Sequence, residues 1–155
     1  MSKAHLNQVI ASHLVEIKAD EFPDQEVLIF ERGEAGEDIL TYQMIHENSN
    51  KLARILLQNG VSKGDVFAVF MRNYPEFVYG LLAATTIGAV MVPLDPRSKG
   101  DRLKFLLNHS KAKAVIVSCE CLEALNDVKG DIPGLDYIAV AYQREQTYAI
   151  SSAYP

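Results

Sequence analysis

The 155-residue sequence predicts an α/β fold: a parallel-stranded sheet with helices on both faces, plus a β-hairpin. Three observations carry this. Four short apolar runs, "DVFAVFM", "AVMVPL", "AKAVIV" and "LDYIAV", lack the polar alternation of a half-exposed strand, so each reads as a strand covered on both sides. Stretches with helical spacing separate them, which is the pattern of βαβ units. Upstream, "EVLIF" and "DILTY" flank an acidic turn holding Gly33 and Gly36, the signature of a hairpin.

The chain opens on a stretch that superficially suggests a targeting peptide. His13, Glu16, Lys18 and Asp20 interrupt any apolar core, and no small-residue cleavage site follows. It predicts an amphipathic helix with Leu6, Val9, Ile10, Leu14 and Ile17 on one side. After the hairpin, Thr41 stands where a helix can start, and Ile45, Leu52, Ile55 and Leu56 recur at helical spacing up to Asn59-Gly60, with Val61 as the apolar cover. The strand over Asp65–Met71 leads to a mostly apolar helix, opened by Pro75 and closed by Gly88. A second strand spans Ala89–Leu94. Ser98 and Asp101 are spaced as a capping box ahead of Leu103, Leu106 and Leu107. A third strand covers Ala112–Val117, a short helix "CLEALNDVKG" ends at Gly130, and the last strand covers Asp136–Val140. Three stretches result: 1–62 with the opening helix, hairpin and helix; 63–141 with the βαβ repeats; and 142–155, which has no clear period and reads as loop or frayed tail.

Composition excludes several classes. Apolar residues make up 48% and charged residues 23%, as expected of an ordinary globular domain. A net charge of −5 argues against a general nucleic-acid-binding face. No apolar run approaches a membrane span, and the expected location is cytoplasmic. Cys119 and Cys121 in "SCEC" are too close for an easy disulfide and read as two reduced thiols near a helix start. The histidines His5, His13, His46 and His109 have no companion ligands at metal-binding spacing, so no metal site is expected.

Direct tests for chemistry return little. No G-x-G-x-x-G, Walker loop or G-x-S-x-G occurs. Asp95, at the end of a predicted parallel strand, stands where α/β sheets place functional groups. A phospho-accepting receiver also needs an acidic pair after its first strand, and that strand ends in Met71-Arg72-Asn73. The run Pro93-Leu94-Asp95-Pro96-Arg97 therefore reads first as a rigid corner: two prolines fix φ, and Asp95 bonds backbone amides in the turn.

Taken in order, the segments resemble a family. "LTYQMI", then "KGDVFAVFMRNYPEFVYGLLA", then "IGAVMVPLDPR" resemble landmarks of the N-terminal region of AMP-forming acyl-CoA synthetases and their acyl-adenylating relatives, over residues 25–118, with the opening helix fitting as well. The resemblance implies an enzyme that uses ATP and Mg2+ to turn a carboxylic acid into an acyl-adenylate, then transfers the acyl group to CoA. It implies that Arg97 and Lys99 lie near the phosphates of CoA; solvent-facing cations beside a helix N-terminus are the plainer reading. No catalytic residue carries over, because the family's Gly-rich phosphate loop and its C-terminal lysine have no counterpart in these residues. The expectation is an N-terminal subdomain, residues 1–155, that is inactive alone, binds no cofactor by itself and self-associates through apolar surface around Phe77–Ile87 and the strand edges. The alternative is a self-standing, non-catalytic α/β binding or regulatory module of the same ancestry.

Overall fold

The computed structural model describes residues 10–33, 36–144 and 147–152. Helix α1 (Ala11–Glu21) precedes a hairpin of β1 (Glu26–Glu31) and β2 (Glu37–Thr41), then α2 (Tyr42–Gln58). The main sheet follows: β3 (Val66–Phe70), α3 (Pro75–Ile87), β4 (Val90–Leu94), α4 (Gly100–Ser110), β5 (Ala114–Ser118), α5 (Cys119–Asn126), a 3-10 turn at Lys129–Asp131, β6 (Tyr137–Arg144) and β7 (Thr147–Ser152). The strand order is β4-β3-β5-β6-β7, parallel from β4 through β6, and the β1–β2 hairpin forms its own antiparallel sheet.

The apolar strands are covered on both faces, as the sequence predicts. Successive side chains of a strand point to opposite faces. Phe67 and Val69 of β3 join one core with Ile116 of β5, Leu52 and Leu56 of α2, and Tyr79 and Ala83 of α3. Ala68 and Phe70 join the other, with Val115 and Val117 of β5, Leu103 and Leu107 of α4, and Leu125 of α5. Burying each large apolar side chain contributes roughly 1.5–3 kcal/mol. Gly80 lets α3 lie close on the sheet, since a Cβ there would come within 3.3 Å of Met91 Sδ and 3.4 Å of Val69 Cγ2.

Local signals set the element ends. Thr41 Oγ1 accepts from Met44 N at 3.3 Å and caps α2. At its other end Val61 N bonds Leu56 O and Gly60 N bonds Leu57 O, with Gly60 at φ +84°, closing the helix as Asn59-Gly60-Val61 predicts. Pro75 opens α3, and Gly88, at φ +77°, closes it.

Four expectations need correction. Residues 142–155 are not simply a tail: β6 runs to Arg144 and β7 pairs antiparallel beside it, because Thr, Tyr and Ile in "TYAIS" favour strand once an edge is offered. The capping box at Ser98 does not form. Helix α4 starts at Gly100 with Lys99 in the capping position, one residue too late for Ser98, and no side chain caps it. Gly130 falls within the 3-10 turn, and α5 already ends at Asn126. In α1, Val15 packs on the core and Ala19 is buried, whereas Ile10 and Leu14 of the predicted stripe are half exposed; Leu6, Val9 and His5 lie outside the described residues.

Candidate functional site at the carboxyl edge of the sheet

The chain enters the sheet at β3, steps to β4 and returns to the opposite side of β3 as β5. Helix α3 covers one face, and α4 and α5 cover the other. The loops after β3 and β4 thus leave toward opposite faces, and a crevice opens between them at the carboxyl ends, where open α/β sheets bind ligands. A cleft of about 790 Å3 lies there, with Phe30, Arg32, Arg72, Asn73, Tyr74 and Pro96 in its wall.

Tyr74 ties the site together. Its hydroxyl donates to Glu120 Oε1 at 2.8 Å, joining the loop after β3 to the start of α5. Its ring packs tilted against Phe30 of the hairpin at 5.9 Å between centroids. Burial, followed by the Glu120 carboxylate, pushes its phenol up to about 12, so it stays a donor at neutral pH.

The turn after β4 is the rigid corner that the prolines predict. Asp95 Oδ1 accepts from Arg97 N at 2.9 Å and from Arg97 Nε at 3.0 Å, and Oδ2 accepts from Arg97 Nη2 at 2.9 Å. These bonds to the guanidinium and the amide hold the Asp95 carboxyl down at about 2. A carboxylate so tied is a poor base. Arg97 nonetheless leaves 88% of its side chain exposed. Lys99, at the N-cap of α4, is exposed. The two residues therefore sit on one exposed turn at the carboxyl end of β4. Behind them the Ser98 hydroxyl is buried with no hydrogen-bond partner among the described residues.

The thiols add no nucleophile. Both are free; Cys119 is exposed and Cys121 buried against Pro96 O. Burial of Cys121, and at Cys119 partial desolvation followed by the Glu120 charge, push both thiols up, away from the reactive thiolate. His13 bonds Glu16, and His46 bonds Asn50. Among the described residues no group of three or more His, Cys, Asp or Glu could hold a metal ion, so no side chain here is assigned to Mg2+. No described helix is long and apolar enough to cross a membrane.

Two features escaped the sequence reading. The Tyr74–Glu120 bond spans 46 residues and leaves no local signal. Glu76 had one: an acid in the first turn of an otherwise apolar helix. It is only 3% exposed, and burial pushes its carboxyl up to about 7, opposed by its own backbone amide and by Arg32.

Of the predicted apolar surface, the part on Phe77–Ile87 is largely covered, while edge strand β4 exposes Val90. Helices α1 and α2 pack against α3, so that of its large apolar side chains only Leu81 is strongly exposed. The exposed apolar residues include Val27, Ile29 and Ile39 of the hairpin and Phe105 of α4. Pro93 in edge strand β4 removes a backbone donor from that edge.

Comparison with known proteins places this geometry. The family model for AMP-binding enzymes matches residues 15–152. Bacitracin synthase 3 of Bacillus licheniformis is 32% identical over 136 residues, covering 88% of this chain and 2% of the relative. A medium/long-chain-fatty-acid–CoA/3-oxocholest-4-en-26-oate–CoA ligase of Mycobacterium marinum is 31% identical over 127 residues, covering 82% of this chain and 22% of the relative. The solved structure of an anthranilate CoA ligase in complex with anthranoyl-AMP superposes with a TM-score of 0.77 at 20% identity, covering 85% of this chain and 25% of that one. The chain thus spans a quarter or less of the length of these relatives. Since the family model takes in nearly all of the described fold, from α1 through β7, this chain belongs to the AMP-binding enzyme family.

Proposed function

We propose that this chain is the N-terminal subdomain of an AMP-forming acid–thiol ligase. The whole protein uses ATP and Mg2+ to convert a carboxylic acid into an acyl-adenylate and pyrophosphate, and then passes the acyl group to CoA. The observation that carries this reading is the family match over residues 15–152, and relatives named as CoA ligases support the choice of reaction.

These residues supply scaffold and part of a ligand-facing edge rather than the catalytic groups. Phosphoryl and adenylyl chemistry depends on donors that hold the phosphates and stabilise charge as it develops. In this reading such donors come from the phosphate loop, a Ser-Gly-Thr-Thr-Gly-type run that does not occur in the 155 residues. The chain alone is therefore inactive and holds no cofactor tightly. Arg97 and Lys99, exposed on the turn after β4, meet the CoA phosphates. Arg97 would share its guanidinium between Asp95 and the ligand, so its contribution is smaller than that of a free arginine.

The test is pyrophosphate release from ATP with a panel of carboxylic acids, using the purified 155-residue chain. Background rates are expected throughout. Turnover that disappears on replacing Asp95 or Arg97 would mean that the chain is an enzyme by itself.

A further inference from the structure

A second cavity, of about 390 Å3, lies between α2 and the first turns of α3 and shares no lining residue with the cleft at the carboxyl edge. Its volume is at the small end of ligand pockets, about 300–1,000 Å3. Leu52, Ile55 and Tyr79 give it an apolar wall. Three charged side chains join them: Lys51 and Arg54 from α2, and Glu76 from α3. Arg54 is exposed and has no hydrogen bond or ion pair among the described residues. Among the described residues Lys51 makes only long contacts, 3.5 Å to Asn48 Oδ1 and 3.9 Å to Glu47 Oε2. Glu76 is almost wholly buried and, among the described residues, bonds only its own backbone amide.

Two weakly held cations against one buried carboxyl leave the cavity positive, in a protein whose net charge is −5. We infer that the α2–α3 cavity binds a small organic anion with an apolar body, its charge drawn by Lys51 and Arg54 and its body packed on Leu52, Ile55 and Tyr79. Such a ligand removes apolar wall from water and gives an unpaired arginine a partner. Ionised Glu76 is the one opposing charge among the described residues that line the cavity. The charged and titratable groups around it are Arg32 and Asp38 of the hairpin, Lys51 and Arg54 of α2, and Tyr79 of its own helix. Its carboxyl is protonated below about 7, so binding weakens as pH rises through that value.

The probes are octanoate, octylammonium and octanol, titrated into the labelled chain by NMR. At about pH 6, octanoate is expected to shift the amides of Leu52, Ile55 and Tyr79 and to bind about tenfold more tightly than either matched probe. Arg54→Gln, an exposed position that leaves the core intact, should weaken octanoate about tenfold and leave octanol unchanged. Raising the pH to about 8 should weaken octanoate in the wild type and not in Glu76→Gln. Equal binding of the three probes, or octanoate binding indifferent to both Arg54→Gln and Lys51→Gln, would overturn the assignment. So would shifts confined to other parts of the chain. None of these outcomes bears on acyl-adenylate formation.

Discussion

Replacing Glu76 with glutamine tests how the core handles a buried acid. Glu76 occupies the second position of α3, is 3% exposed, and has its carboxyl raised from 4.5 to about 7, chiefly by burial. The sign follows from linkage. A folded-state pKa above the unfolded one means that the folded state holds the proton more tightly, so stability is full below pH 4.5, falls as pH rises, and levels off above pH 7. The 2.5-unit difference between 4.5 and 7 corresponds to about 3 kcal/mol at 1.36 kcal/mol per unit. Glutamine keeps the shape and cannot ionise. It forfeits the attraction of a carboxylate for the helix N-terminus, about 0.3–1 kcal/mol, which is the smaller effect. Glu76→Gln is therefore expected to be more stable than the wild type by about 2–3 kcal/mol at pH 8, and within about 1 kcal/mol of it at pH 4. Urea unfolding followed by circular dichroism reads this directly, because the midpoint moves by about 0.7–3 M for slopes of about 1–3 kcal/mol/M. A variant less stable at pH 8, or a difference that does not change with pH, would refute the reasoning.

Four further predictions rest on single contacts. Thr41→Ala removes the cap on Met44 N and should cost about 1 kcal/mol by urea denaturation. Leu56→Ala opens a cavity at a fully buried position and should cost about 2–5 kcal/mol, also visible as a lowered Tm. Gly88→Ala forces a side chain to φ +77° with its Cβ 3.1 Å from Lys63 Cγ, and should cost about 1–2 kcal/mol. Ile29 and Ile39 are paired across the hairpin and exposed, so the isolated chain is expected to self-associate there; light scattering should show a mass above the monomer that Ile29→Lys lowers.

The parts of the fold legible in the sequence are those set by local chemistry. A strand buried on both faces must be apolar throughout, and "FAVF" and "AVIV" are. Asn59-Gly60, Pro75 and Gly88 punctuate helices because each residue suits one backbone geometry. Ser98 misled because a capping box is only a spacing, and the chain starts the helix one residue beyond the reach of that hydroxyl. The tail misled because β7 depends on an edge supplied by β6, not on its own pattern. At the site, the Asp95 corner was legible because Pro93 and Pro96 fix it. The Tyr74–Glu120 bond and the burial of Glu76 were not, since the first depends on where α5 meets the loop after β3 and the second on how α2 and the hairpin pack against α3.

The central claim is that these residues form the scaffold of an acid-activating ligase and need the phosphate loop to work. A chimera tests it, with this chain replacing the matching N-terminal segment of a CoA-ligase relative. Carboxylate-dependent ATP–pyrophosphate exchange and CoA thioester formation are measured on the chimera and on the 155-residue chain alone. The account predicts exchange in the chimera and background in the chain. It further predicts that Arg97→Ala with Lys99→Ala raises the KM for CoA and leaves the exchange step unchanged. A well-folded chimera with no exchange, or a chain that is active alone, would contradict it.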